Sequence, residues 1–491
     1  MSIQSFSVEN FQKIFDYENR KGNNLERRFP ESFSESLALL PDLKDIILKI
    51  KEAANDEERT LLLSERDKLR EKRIKLIENT IIDVVDNITL KKEKLTIEEG
   101  DTYGKQSYHF ENTLENLFIS KKIQNNIKRL YSVKPSHRNT IIKEIINLLE
   151  DRTPKFIVRT DIKSFFESIP QKKLLTKLND DYLLSVLSKR FINETIDSYN
   201  ILTGQVDAEL TRGVPRGIGF SAYLAELFMR DIDNYISKFE DVIYYARYVD
   251  DIIVIFSPKS KYISNTYINS YLDKIEKIIK KSGLKLNQSK TKTYNLLNGI
   301  KTIEVESYFQ DGTPKQENYS NAIEYLGYAI GSRFIYQDLT KNKTKNQSIV
   351  VDMVLNKKDR YKDKIQKAFD AYEKKQKHNN KKAFKLLQTR IQYLTSNTQL
   401  RNNKENVFIG IYYSNRYVNT MSSLQSLQSD LENSINSASL SPNQKEKLRK
   451  LTFQGGFVSK KYHKYPIRNK INTENLGIEI FGLTEINSIW K

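Results

Sequence analysis

Apolar residues recur near a 3.6-residue period from Glu35 to Lys94, through LLPDLKDIILKIKEAANDEERTLLLSERDKLREKRIKLIENTIIDVVDNI, a stretch with no Gly and one early Pro. Residues three and four apart fall on one helix face, so this spacing predicts a helical extension. Its charged positions read as a solvated face and carry no predicted chemistry. From about 105 to 335 the pattern becomes mixed. KFIVRTDIKSFF (155–166) alternates like a strand, and YLAELFMRDIDNYISKF places Leu224, Leu227, Phe228, Ile232, Tyr235, Ile236 and Phe239 on one helical stripe, with Ser221 as its N-cap. IYYARY and IIVIF read as the two strands of a hairpin whose tip holds Val249, Asp250 and Asp251. After 348 the pattern is helical again, in the basic DKIQKAFDAYEKKQKHNNKKAFKLLQTRIQYL, before a stretch rich in Asn and Tyr. The predicted class is α+β, with a helical N-terminal extension (1–104), a mixed centre (105–335) and a helical C-terminal region (336–491).

Charge adds a partner to this picture. The chain has 491 residues and 81 Lys plus Arg against 62 Asp plus Glu, a formal net charge of +19, which implies an anionic partner and favours nucleic acid. No apolar run reaches the roughly 18 residues of a membrane span, and MSIQSFSVENFQKIF lacks the pattern of a secretory signal, so the expected location is the cytoplasm, without membrane contact. With no Cys and four scattered His (His109, His137, His378, His463), thiolate zinc sites, disulfides and Cys nucleophiles are excluded. A metal in this chain is held by oxygen, which favours Mg²⁺ or Mn²⁺.

The acids at the hairpin tip give that metal a place. Two adjacent aspartates in a turn are by themselves often only a turn, because Asp bonds its own backbone there. Flanked by apolar strands, however, like charges repel unless a cation neutralises them. Asp161 ends a second predicted strand, and strand ends meeting on one sheet bring it within reach of the same pair of ions as Asp250. Two such ions suit in-line phosphoryl transfer.

Asp161 in DIKSFF, GVPRGIGFSAYLAEL (213–227), YVDD (248–251), GLKLNQSKTK (283–292) and EYLGY (324–328) resemble, in order and approximate spacing, motifs A to E of reverse transcriptases. The resemblance covers about 155 to 330 and extends upstream through KPSHRNTIIKEI (134–145). It implies a right-hand fold with an antiparallel palm sheet, fingers near 105–160 and about 175–215, and a helical thumb after about 340. It further implies that Asp161 and Asp250 bind two Mg²⁺ ions, with Asp251 a supporting ligand, and that Lys290 is a general acid toward pyrophosphate. Phe166 resembles the steric gate that excludes a 2′-hydroxyl. Pro215, Arg216 and Gly217 belong to the nucleotide-facing turn, Tyr325, Leu326 and Gly327 to the primer grip, and Arg138 and Lys155 are candidate triphosphate or template contacts. Arg216 departs from the Gln common at its position, Ala222 from a frequent Pro, and Glu226 from a frequent Asn.

No zinc-binding or HNH-like pattern and no strand-borne carboxylate set of an RNase H follows the polymerase motifs. The variant GVPRGIGFSAYLAELFM and the late RIQYLTSNTQLRNNKENVFIGIYYSN (390–415) resemble the bacterial defence-associated reverse transcriptases of the unknown group, type 3-like. That resemblance implies dNTP substrates, an RNA template in the form of a noncoding RNA, a DNA product, a second reverse transcriptase subunit or a homo-oligomer, and a role in antiphage defence. Two other readings stand beside it: template-independent or protein-primed synthesis at the same site, suggested by Arg216 and 28 Tyr, and a binding scaffold without chemistry.

Overall fold

The computed structural model describes residues 4–90, 94–102, 104–151, 153–207, 209–260, 262, 264–305, 317–337, 344–400, 407–472 and 478–490. The chain divides into two units, one of Met1–Pro135, Ile162–Lys238 and Asp273–Asn287, the other of Ser136–Asp161, Phe239–Leu272 and Gln288–Lys491.

In the first unit the predicted helical extension forms as helices Ser34–Ala38, Leu40–Glu52 and Asp56–Leu90. Only the last part of the 35-residue helix has a buried stripe, Ile77, Ile81, Val84 and Ile88, at the spacings a helix face requires. Helix Val8–Arg20 lies against Leu114–Leu130, with the Phe11 and Phe118 rings stacked at 4.7 Å. A hairpin, Ile97–Thr102 with Lys105–Phe110, follows the long helix. Its entry is fixed by helix Val186–Leu202, where the Glu194 carboxylate accepts from Leu95 N and the Ser198 hydroxyl from Ile97 N. Helix Ser221–Ser237 buries Leu224, Leu227, Ile232 and Ile236 as the pattern predicts, but Met229 completes the stripe while Tyr235 is exposed. Ser221 is its first helical residue instead of its cap; Phe220 takes the cap position without a side-chain bond.

The second unit is built on a four-stranded antiparallel sheet, in the order Val242–Tyr248, Asp251–Phe256, Lys155–Asp161, Lys292–Leu296. β-branched residues fill the central two strands, and Ile157, Ile253 and Ile255 are fully buried. These residues join Ile141, Ile142 and Ile145 of helix Arg138–Glu150 in one core. Each such side chain contributes roughly 1.5–3 kcal/mol by leaving water. That core makes the sheet a rigid platform for whatever its strand ends carry. A second antiparallel sheet, Thr344–Met353, Tyr328–Gln337, Ile323–Tyr325, continues the same core into helices Leu355–Lys375, Asn380–Thr395 and Ser422–Ser437. The helical region therefore starts at Leu355, later than the pattern predicts, because Ile349, Val351 and Met353 join the core at strand period and the segment pairs with Tyr328–Ser332. The architecture is that of the expected α+β class, with antiparallel sheets and a helical C-terminal region.

Candidate active site

The antiparallel register of the central strands sets Asp161 directly opposite Asp251. Asp250 occupies the two-residue tip between Tyr248 and Asp251, next to Val249, whose φ of 61° is a left-handed conformation that β-branched residues avoid. Arg247 holds this strained turn by donating from Nη1 to the Val249 carbonyl at 2.8 Å. From below, the buried Tyr325 hydroxyl donates to the Asp251 carbonyl at 3.0 Å. The strain and its two anchors aim three carboxylates at one point: one ligand oxygen from each of Asp161, Asp250 and Asp251 lies within 4.8 Å of the other two.

Two cations border the cluster. Lys290 Nζ donates to Asp161 Oδ2 at 3.0 Å, and Arg159 Nη2 reaches Asp251 Oδ1 at 3.5 Å. The short 3₁₀ turn carrying Lys290 is pinned by a 2.7 Å hydrogen bond between the Thr160 and Thr291 hydroxyls. Even so, burial, reinforced by Asp161 and Asp251, raises the Asp250 carboxyl above its ordinary range. Burial also raises Asp251, with Asp161 adding to the rise and Arg159 opposing it. Ionised, the three carboxylates carry more negative charge than Lys290 and Arg159 carry positive charge. An all-oxygen donor set with surplus negative charge fits hard divalent cations, so the residues present suit Mg²⁺ or Mn²⁺.

Tyr325, Leu326 and Gly327 also come together in this unit. Leu326 and Gly327, with φ of 45° and 81°, form the tight turn joining Ile323–Tyr325 to Tyr328–Gln337. Arg138, expected at a triphosphate or template, grips this turn: Nε and Nη2 donate to the Leu326 carbonyl at 2.9 and 2.6 Å, and the guanidinium lies 4.7 Å over the Tyr328 ring. Lys155 opens the strand that Asp161 closes, about 20 Å away at the usual rise per residue. Its ammonium is buried, bonded to Asp151, to the Thr153 hydroxyl at 2.6 Å and to the Thr153 carbonyl at 3.2 Å. The described partners thus commit Lys155 to its own strand entrance.

Phe166, Pro215, Arg216 and Gly217 gather in the first unit. Val214 N donates to the Phe166 carbonyl and Gly213 N to the Ile169 carbonyl, both at 2.8 Å, so the turn is tied to the Phe165–Ser168 helix. Phe165 is buried while Phe166 is only half-buried, and Pro215 is buried within the turn. Gly217, at φ 102°, could carry no side chain: a Cβ there would sit 2.5 Å from the Tyr108 carbonyl oxygen. The Arg216 guanidinium lies 5.2 Å over the Phe166 ring and donates from Nε and Nη2 to Glu167 Oε1 at 3.1 and 2.9 Å.

Three participants escaped the sequence reading. Arg159 stands two residues before Asp161, and strand period alone puts the two on one face, a usable signal. Arg247 and Glu167 lie among many similar charges, and only the fold reveals the Val249 carbonyl and the Arg216 guanidinium they meet.

Residues 110–330 match the family model described as "Reverse transcriptase (RNA-dependent DNA polymerase)". No curated protein matches the chain in sequence. Among solved structures the chain is similar to telomerase from Candida albicans in complex with a TWJ fragment of telomeric RNA (13% identity, TM-score 0.30, 74% of this chain and 60% of that one). It is also similar to apo telomerase from Candida tropicalis truncated from its C-terminal domain (13%, 0.29, 59% and 71%) and to an RdRp complex (11%, 0.27, 43% and 22%). The chain therefore spans 22% of that RdRp chain and 60% of the Candida albicans telomerase chain. No helix among the described residues is long and apolar enough to cross a membrane. The matched segment contains the three clustered carboxylates, the Arg216 turn and the Tyr325–Gly327 turn. Residues 110–330 therefore carry a reverse transcriptase domain.

Proposed function

We propose that the chain extends a primer 3′-hydroxyl with deoxynucleoside triphosphates on an RNA template, at a site formed by Asp161, Asp250 and Asp251. The observation that carries this reading is the convergence of these three carboxylates within 4.8 Å at the ends of rigid, buried strands. Asp161 and Asp250 hold two divalent ions, with Asp251 supporting them. When bound, those ions supply activation of the attacking hydroxyl and stabilisation of the departing pyrophosphate. Lys290, which contacts Asp161, carries a proton toward the pyrophosphate as it leaves. Arg159 favours the ionised form of Asp251 and orients it. Phe166 excludes the 2′-hydroxyl by collision, while Arg216 and Glu167 hold its ring. Pro215 and Gly217 shape the nucleotide-facing turn, and the Tyr325–Gly327 turn positions the primer end.

The proposed setting is antiphage defence in a bacterium, with a noncoding RNA as template and a second reverse transcriptase subunit as partner. Its support is the sequence likeness of residues 213–229 and 390–415 described above. Sequencing the nucleic acid that co-purifies with the chain, together with the DNA it makes in Mg²⁺ and dNTPs, tests this reading. DNA complementary to a bound RNA is expected. DNA without a complement in that RNA favours template-independent or protein-primed synthesis, a second reading motivated by the charged Arg216–Glu167 pair where the family commonly has a neutral Gln.

A further inference from the structure

On helix Leu355–Lys375, Lys357, Arg360, Tyr361 and Lys364 recur at spacings of three and four and share one face. That face borders a cavity of about 360 Å³, closed on its far side by Tyr393 and the Gly410–Ser414 segment. Among the described residues no carboxylate forms an ion pair with Lys357, Arg360 or Lys364. Asp363 pairs instead with Lys367 at 2.9 Å, and Asp430 with Lys362 at 3.2 Å. A fourth cation approaches from another element, for Arg138 and Lys357 both lie against the Tyr328 ring, at 4.7 and 5.4 Å. Like charges in a row weaken a helix, so the folded chain bears a cost here. Lys357 relieves part of it by donating to the Ser414 carbonyl at 2.9 Å, and burial, with Arg138 and Arg360 beside it, pulls its amine down to about 7. Tyr361 and Tyr393 add aromatic rings to the lining; Tyr393 in turn stacks on Trp490 at 6.0 Å, and Lys364 lies 5.5 Å over the same indole. Surplus positive charge around a partly aromatic cavity matches one chemistry, an anionic group attached to a flat ring.

We propose that this pocket binds a nucleotide through its phosphate, with Arg360 and Lys364 on the phosphate and Tyr393 against the base, the nucleotide being either free or the end of a strand. The cavity is at the small end of ligand sites, which run from about 300 to 1,000 Å³, and therefore suits a single nucleotide better than a duplex. None of the clustered carboxylates takes part, so the pocket is independent of the polymerase reading. Lys357 also lies beside Gly327, so the pocket adjoins the Leu326–Gly327 turn.

Photolabelling the purified full-length chain in EDTA tests the pocket, with 8-azido-ATP as one probe and a short 5′-phosphorylated oligodeoxythymidine carrying 5-iododeoxyuridine as the other. Peptides covering 355–364 or 390–395 are expected to carry the label. Replacing Arg360→Gln and Lys364→Gln together is expected to cut that labelling about tenfold or more at an unchanged melting temperature. Asp250→Asn is expected to leave it intact. The better probe identifies the source of the phosphate. If the double variant misfolds, Arg360→Glu alone, on an exposed side chain, makes the same test. Label only on other peptides, equal labelling of the folded variants, or loss of labelling in Asp250→Asn would overturn the proposal.

Discussion

Asp161 and Asp251 are cross-strand partners in the antiparallel ladder joining Lys155–Asp161 to Asp251–Phe256. Paired like charges on facing strands are destabilising by up to about 1 kcal/mol, and Asp250 at the adjoining tip adds to the repulsion. The sheet can hold such a cluster because its other end is anchored in a deep apolar core, and the charge is useful because cations offset it.

Lys290 contacts Asp161 at 3.0 Å from a turn locked by the Thr160 and Thr291 hydroxyls. A proton donor placed there acts on the chemical step more than on binding. Lys290→Ala is expected to lower the single-turnover extension rate by about 10²-fold while changing the apparent dNTP affinity much less. Rapid-quench kinetics across dNTP concentrations separates the two effects.

Phe166, under the Arg216 guanidinium, is the proposed sugar filter. Phe166→Ala is expected to raise ribonucleotide incorporation relative to deoxyribonucleotide incorporation by about 10–200-fold, the range that one small group commonly commands in a pocket. Glu167→Gln, which removes the charge holding Arg216, shifts the ratio in the same direction by less. Competition assays with matched dNTP and rNTP read both.

Arg138 makes a two-bond fork to the Leu326 carbonyl. A single ammonium cannot reproduce it, so Arg138→Lys and Arg138→Ala are both expected to weaken primer–template binding, and Arg138→Ala is expected to cost about 1.5–3 kcal/mol of stability. Denaturant melts and binding titrations of the two variants check this.

Asp352 is completely buried in the Thr344–Met353 strand, and burial raises its carboxyl to about 6 despite the Ser423 hydroxyl and the Met353 N–H beside it. The folded state therefore holds its proton more tightly than the unfolded chain. Stability from this group is complete below about pH 4 and is lost as pH rises through about 6. Asp352→Asn is expected to stabilise the protein at pH 7 by an amount on the order of 3 kcal/mol, with the gain vanishing near pH 4. Denaturant melts of both proteins over that range read the difference.

Much of the site was legible before the fold was known. Strand period put Asp161 at a strand end, the apolar runs around Val249–Asp251 marked a hairpin, and the order of short segments carried the family likeness. What remained hidden depends on distant backbone. Arg138 and Leu326 meet only because helix Arg138–Glu150 and the second sheet share one core, and nothing local in KPSHRNTIIKEI announces a carbonyl so far along the chain. The enclosure of Lys155 is equally silent in the sequence, since Asp151 and Thr153 reach its ammonium only once the chain folds back on the strand entrance. The strand Thr344–Met353 was obscured by its polar, Lys- and Asn-rich first half, which lacks the apolar alternation of a strand.

Primer extension on a defined RNA template, in Mg²⁺ with dNTPs and with wild-type and Asp250→Asn proteins of matched fold, tests the carboxylate site most directly. Template-complementary DNA from the wild type, abolished by EDTA and reduced at least about 10³-fold by the substitution, is the expected result. Undiminished synthesis by Asp250→Asn, or wild-type synthesis that persists in EDTA, would contradict it.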